Sequence, residues 1–204
     1  MKYQKIPNLF KLDEKFKHYD GNAYDNEHLD YVSNLCFHYQ EKLDGTNIRV
    51  CWDGYNISFK GRTDEAQIPP FLFDHLTKLF ENKDTVFERL FGEKEVILFG
   101  EGIGYKIQSS KREDNDFVLF DIAVNGVYIG SIDTVNDIAK EFAIKSVPYK
   151  TGRLTDIIEE CLKLKNTQSD IVKNTFEGFV IRPQVPLYTN NGHRIIAKLK
   201  AKYL

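Results

Sequence analysis

Apolar and polar positions alternate with a period of two over much of this chain. NIRVCW (47–52) and YNISFK (55–60) are two such runs, joined at Asp53-Gly54, a dipeptide that predicts a two-residue hairpin turn. A second hairpin is expected where FVLFDIAV (117–124) meets VYIG (127–130) across Asn125-Gly126. EVILFGEG (95–102) reads as a buried strand ending in glycines, and FHYQE (37–41) as a half-apolar strand running into Lys42. Helical spacing covers Phe71–Asn82, Thr85–Phe91 and roughly Thr134–Phe142, and between Leu154 and Leu164 it places Leu154, Ile157, Ile158, Cys161 and Leu162 on one face. TFEGFVIRP (175–183) and RIIAKLKAKYL (194–204) close the chain as strands. Hairpins, helices grouped between them and returning strands predict an α+β fold with mainly antiparallel sheets and flanking helices.

The last segment is the most informative. Ile195, Ala197, Leu199 and Ala201 face one way on a strand, and Lys198, Lys200 and Lys202 the other, roughly 6.6–7 Å apart. Three ammonium groups in one row repel unless water screens them or an anion sits among them. An exposed strand edge is the plain reading; an anion site is the functional one. Lys42 sharpens the choice. A lysine becomes a nucleophile only when desolvation or neighbouring positive charge lowers its pKa, and a lysine row aimed at the same place would supply that charge. Behind Lys42, Gly45 permits close approach of backbone to a ligand, and Asp44 and Asn47 could hold sugar hydroxyls or anchor the turn.

Composition narrows the field. The 204 residues carry 42% hydrophobic and 28% charged residues, as expected for one sizeable globular domain. No apolar run is long enough to span a bilayer, and the first twenty residues lack the core of a signal peptide. Three scattered cysteines and five scattered histidines make neither a disulfide framework nor a zinc knuckle, so a reducing cytoplasm is the expected compartment. The net charge of −2 argues against nucleic-acid binding over the whole surface. Residues 143–204, however, hold eleven Lys and Arg against five acids, which suits a local polyanion site.

Lys-x-Asp-Gly alone is common by chance, but further motifs follow it in order: EKLDGTN, SFKGRT, ILFGEGIGYKIQ, FVLFDI, FEGFVIRP and AKLK. From about residue 35 to 202 this series resembles the covalent nucleotidyltransferases, and among them the ATP-dependent RNA ligases of the RNA ligase 2 type. The resemblance implies an ATP-grasp-like nucleotidyltransferase domain filling residues 1–204, without the C-terminal accessory domain that family members commonly append. It places Lys42 as the AMP-accepting lysine, with Glu41 before it at the adenine amino group. Arg62 falls at the arginine that contacts phosphate or the RNA end, Glu101 at the carboxylate on the ribose, and Phe120 at the ring stacked on adenine. Glu177 takes the place of the carboxylate linked to the metal, with Glu101 as a further metal candidate, and Lys198 and Lys200 that of the pair on the α-phosphate. Asn47, where DNA ligases and capping enzymes usually carry arginine, favours the RNA ligase branch.

ATP and Mg²⁺ or Mn²⁺ are the implied cofactors, and RNA with 5′-phosphate and 3′-hydroxyl ends is the implied partner. A protein or separate domain would supply substrate binding in place of the missing accessory domain; no membrane is involved. Plain readings stand beside these: Arg62 as a surface cation, Phe120 as core. A DNA ligase core, a guanylyltransferase and a non-catalytic nucleotide- or RNA-binding module are the alternatives. GEGIGYK lacks the Gly-x4-Gly-Lys-Ser/Thr spacing of a phosphate loop and is not one.

Overall fold

The computed structural model describes every residue except Glu14, Phe16 and Ser109. It divides into two compact units, one formed by Gln4–Leu43 with Pro148–Leu204, the other by Asp44–Val147 with Met1–Tyr3. In chain order, the first unit opens with the antiparallel pair β1 (Phe10–Asp13) and β2 (His18–Tyr24), the short helix α1 (Glu27–Tyr31) and β3 (Phe37–Glu41). The second unit then contributes β4 (Thr46–Trp52), β5 (Ile57–Lys60), α2 (Pro70–Leu79), α3 (Asp84–Phe91), β6 (Val96–Ile103), β7 (Asp116–Val124), β8 (Val127–Tyr128), α4 (Ile132–Glu141) and β9 (Lys145–Ser146). The chain returns to the first unit through β10 (Tyr149–Gly152), α5 (Leu154–Leu164), β11 (Gly178–Pro183) and β12 (Ala197–Lys200).

One unit is built on a four-stranded antiparallel sheet in the order β10-β3-β11-β12. Alternation along its strands turns Phe37, Tyr39, Phe179, Ile181, Ala197 and Leu199 toward Leu154, Ile157 and Cys161 of α5, and these form its core. The other face of the same strands carries Gln40, Val180 and Lys198 side by side, by the register Val180↔Gln40 and Val180↔Lys198. The other unit has a six-stranded sheet in which β5-β4-β6-β7-β8 run antiparallel in that order and β9 pairs parallel to β7. Ile48, Val50, Trp52, Leu98, Phe117, Leu119 and Ile122 pack there with Leu72, Leu76, Phe87 and Val135 from the helices. Trp52 stacks on Phe87 at 5.3 Å between ring centroids, the offset or parallel contact that adds to simple area burial.

The α+β architecture with mainly antiparallel sheets is as expected, and α5 has the expected bounds. Three details differ. The β4–β5 turn is centred on Gly54 and Tyr55, one residue later than the Asp-Gly dipeptide implied: Asp53 N–H donates to Asn56 O, while the Asp53 carboxylate accepts from the backbone N–H of Tyr55 and Asn56. Asp53 closes the turn with its side chain and so cannot occupy its centre. The final strand ends at Lys200, and Ala201–Tyr203 form a 3₁₀ turn. Lys202 therefore leaves the lysine row and lies 4.8 Å from the ring centroid of Tyr203. Strands β1 and β2, in a segment of mixed polar and aromatic residues, had no clear periodic signature.

Gly178, the first residue of β11, has φ of 141°, and a Cβ there would lie 2.0 Å from Leu199 O. Its carbonyl accepts the N–H of Lys42 at 2.9 Å, so this one backbone position ties the end of β3 to β12. Gly178→Ala is expected to cost about 1–3 kcal/mol or more, read as a fall in the urea midpoint without a change in slope.

Candidate active site

In the four-strand unit, β3 ends at Glu41 and the Lys42 side chain extends from the last backbone pairing with β11. Its Nζ lies 2.6 Å from Glu177 Oε2, and Nζ of Lys200 lies 2.8 Å from Oε1 of the same carboxylate. All three side chains are largely buried, with exposures of 25% for Lys42, 17% for Glu177 and 21% for Lys200. Burial alone would push the Glu177 carboxyl upward. Lys42, then Lys200, outweigh it and hold the carboxyl below its ordinary range. Lys198, two residues before Lys200 on the same strand, has its pKa lowered, first by burial and then by Lys200 and Lys42; Glu177 opposes the shift and Lys5 adds to it. Two cations thus pair with the carboxylate, and two more, Lys198 and Lys5, add to the positive charge beside them.

Glu41 does not join them. Its side chain points with Tyr39 to the face covered by α5 and lines a cavity of about 210 Å³ with Ser169 and Asp170. Burial raises its pKa, a hydrogen bond with Ser169 works the other way, and Asp170 adds repulsion. Lys202 is also elsewhere, for the reason given above. Lys5 is the member that inspection of the sequence missed: it lies far away in the chain, and only the pairing of Leu9 and Pro7 with Lys198 brings that segment alongside β12.

The six-strand unit carries the remaining candidates. Asn47 on β4 and Glu101 on β6 are direct Cα partners, so their side chains leave the same face of the sheet. The Asn47 Oδ1 atom is buried and makes no hydrogen bond among the described residues. A Cβ at Gly45 would fall 2.5 Å from Gly102 O and 2.8 Å from Glu101 Cγ, which is why only glycine lets the turn pass so close to this carboxylate. Phe120 is the extra residue of a β-bulge: Leu119 pairs with Gly100 and Asp121 with Phe99, leaving Phe120 unmatched. The bulge turns it out of the core that holds Leu119 and Ile122, onto the face where Tyr3 meets its ring edge at 5.1 Å. Of the two readings open for Phe120, core residue is the one the bulge removes. Arg62 is exposed in the turn after β5. Buried Arg49 braces that turn, donating to Gly61 O at 2.8 Å and pairing with Asp64 Oδ1 at 2.8 Å. An arginine inside an alternating strand gave no sign of that role.

The sequence model of the RNA ligase family matches residues 37–200. The chain belongs to the RNA ligase family. Among solved structures it is similar to a Naegleria gruberi RNA ligase with PPi, with a TM-score of 0.68 at 19% identity, covering 98% of this chain and 56% of that one. It is also similar to a mutant of that ligase with ATP and Mn (TM-score 0.61, 21% identity, 84% of this chain and 50% of that). A further mutant, with AMP and Mn, gives a TM-score of 0.61 at 21% identity over 84% of this chain and 51% of that one. At such identities these likenesses establish the nucleotidyltransferase fold; the chain spans about half the length of the structures it matches. No curated protein matches it.

Two consequences of the charge cluster can be measured. Because the Glu177 carboxyl is depressed in the fold, its ion pairs contribute fully above the ordinary carboxylate range and are lost as pH falls through the folded value. The stability gap between the chain and Glu177→Gln is therefore expected to be constant above about pH 5 and to shrink below about pH 4. Lys198 has the opposite sign: its ammonium is disfavoured in the fold, a penalty that is complete at neutral pH and fades as pH rises toward the unfolded value. Lys198→Met is expected to raise Tm at pH 7 by a few degrees, since 1 kcal/mol moves Tm by about 2–4 °C in chains of this length; an unchanged or lower Tm would contradict the repulsion.

Proposed function

We propose that this chain is the catalytic part of an ATP-dependent RNA ligase that passes AMP through Lys42. The observation that carries the reading is the pairing of Lys42 and Lys200 with one largely buried carboxylate, Glu177, with Lys198 on the same face of the last strand. The cations beside Lys42 would stabilise charge on a phosphate as it is attacked. Glu177, depressed as it is, is a poor base; its part is to hold Lys42 and Lys200 in place until the substrate phosphate replaces it as their counter-ion.

In this proposal the neutral Lys42 amine attacks the α-phosphate of ATP, a phosphorus–nitrogen bond forms, pyrophosphate leaves with the bonding electrons, and the nitrogen gives up one proton to water. AMP then passes to an RNA 5′-phosphate, and a 3′-hydroxyl displaces AMP to form the phosphodiester. Lys198 and Lys200 offset charge on the phosphate oxygens. Asn47 and Glu101 hold the ribose, Phe120 stacks on adenine and Arg62 meets the phosphate or the RNA end; Glu41, turned to the face covered by α5, is left without the base-reading role its place in the motif implied. The carboxylates fit a divalent cation of the kind bound largely by phosphates and water: no three His, Cys, Asp or Glu side chains converge among the described residues, and Glu177 offers a single buried carboxylate. Such a cation, held by Glu177 or Glu101 with the substrate phosphates, would supply further neutralisation of the triphosphate. The ATP and Mn named for the Naegleria structures support this choice of nucleotide and metal class.

No helix among the described residues is long and apolar enough to cross a membrane.

Intact-mass measurement after incubation with ATP and Mg²⁺ or Mn²⁺ should show a gain of one AMP, absent in Lys42→Ala. Lys200→Ala should slow labelling about 10²-fold or more, the loss typical of one charge-stabilising contact. Labelling by GTP in place of ATP would point to a guanylyltransferase, and no labelling with either nucleotide to a binding module. Sealing of a panel of 5′-phosphorylated RNA and DNA substrates then reads the polymer.

A further inference from the structure

An aromatic group in the six-strand unit has no part in the chemistry above. The core of that unit takes Leu98 from β6, and Leu119 and Ile122 from β7. By alternation Phe99 and Glu101 leave β6 on the opposite face, which is also the face of Asn47. On β7 the bulge puts two consecutive residues, Phe120 and Asp121, between the core positions, and both turn to that same face. Tyr3 touches both. Its ring centroid lies 5.1 Å from that of Phe120 at 77° between planes, and its hydroxyl donates to Asp121 Oδ2 at 2.9 Å. The same ring meets Phe99 at 5.0 Å and Tyr128 at 5.7 Å.

Tyr3 is itself held from several sides. Asp121 is fully buried, and its Oδ1 accepts the N–H of Ile122 at 3.0 Å, so the carboxylate that receives the phenol is fixed. Two residues earlier, Met1 O accepts from Nη1 of buried Arg49 at 3.1 Å, and Arg49 is the cross-strand partner of Phe99. The first three residues are thus moored to the sheet face by backbone, hydroxyl and ring. Phe120, by contrast, is only half-buried. A ring with open space beside it has several rotamers within reach, and a locked aromatic neighbour favours one of them.

We infer that Tyr3 is a positioning residue for nucleotide binding, holding the ring of Phe120 in the orientation in which it stacks on the base. A platform ordered before the base arrives loses less side-chain freedom when it binds, and affinity rises by that amount. The inference rests on the stacking role proposed for Phe120 and adds what makes that ring ready.

The test uses the full chain, each variant checked for folding by thermal melt. Tyr3→Leu removes ring and hydroxyl, Tyr3→Phe the hydroxyl alone, and Phe120→Leu the platform. The Kd for ATP with Mg²⁺ is measured by calorimetry in a Lys42→Ala background, where no AMP can pass to the protein. The rate of AMP labelling at saturating ATP is measured with Lys42 in place. Tyr3→Leu is expected to raise the Kd about three- to tenfold, the worth of one aromatic contact, and Tyr3→Phe to recover most of that loss. The labelling rate at saturation should stay within about twofold, since ground state and transition state lose the same contact. Added to Phe120→Leu, Tyr3→Leu should change the Kd no further. If Tyr3→Leu fails to fold, Tyr3→Met, whose flexible side chain refills the space, decides by the same readouts. An unchanged Kd in the folded Tyr3 variant, while Phe120→Leu weakens ATP binding, would overturn the inference alone. So would an equal loss from Tyr3→Leu with and without Phe120, which would make its effect independent of that ring. An unchanged Kd in Phe120→Leu would overturn the stacking role and the inference with it. Absence of AMP labelling in every protein, with the Kd response as expected, would sink the ligase chemistry and leave Tyr3 in its positioning role.

Discussion

One carboxylate bridging two ammonium groups is the interaction on which the four-strand unit's site depends. Glu177 sits where β3, β11 and β12 each deliver a charge: Lys42 follows β3, Glu177 precedes β11 and Lys200 ends β12. Without it, three lysines would share a largely buried face with no counter-charge, an arrangement a fold does not tolerate cheaply. With it, the cluster is still cationic in excess, and the depressed Lys198 ammonium registers that excess. A site left short of negative charge is a site that favours an anion, and the stability withheld there becomes available to a phosphate when one arrives.

The backbone has to be unusual for this to happen. Glu177 and Lys42 come together because Gly178 adopts a conformation closed to other residues and passes its carbonyl to Lys42. A similar demand recurs in the six-strand unit, where Gly45 lies against Gly102 and Glu101, and where the bulge at Phe120 interrupts the regular pairing of β6 and β7. In each unit the departures from regular strand geometry fall beside the charged or aromatic candidates, where re-aiming a side chain is worth the loss of pairing.

How much of this could be read from the sequence follows from which interactions are local. The Lys198/Lys200 pair was legible because a strand with apolar residues at Ala197 and Leu199 must put both lysines on the other face. Lys202 was not, since a 3₁₀ turn after Lys200 breaks the period without any proline or glycine to announce it. The family motifs brought Phe120 forward, but periodicity alone placed it in the core, because a bulge is invisible until the partner strand is known. Asp53-Gly54 predicted a hairpin correctly and its centre wrongly, as the Asp53 side chain was needed to close the turn. Lys5 and Arg49 act only through residues brought near by long-range pairing or burial, and a single sequence carries no mark of that.

The basic surplus of residues 143–204 resolves along the same lines. Lys145 reaches Asp116, Lys150 reaches Glu160, and Lys163 and Lys173 reach Glu159 and Asp170 within their own segments. These lysines are well exposed, and pairs of this kind contribute little to stability. They are the solvated faces that a charge count cannot distinguish from a site. What sets Lys198 and Lys200 apart is that they are partly withdrawn from water and share one face of β12. Charge in that condition is expensive unless it is used, so the distinction between a basic surface and a basic site lies in burial and register, and β12 supplies both.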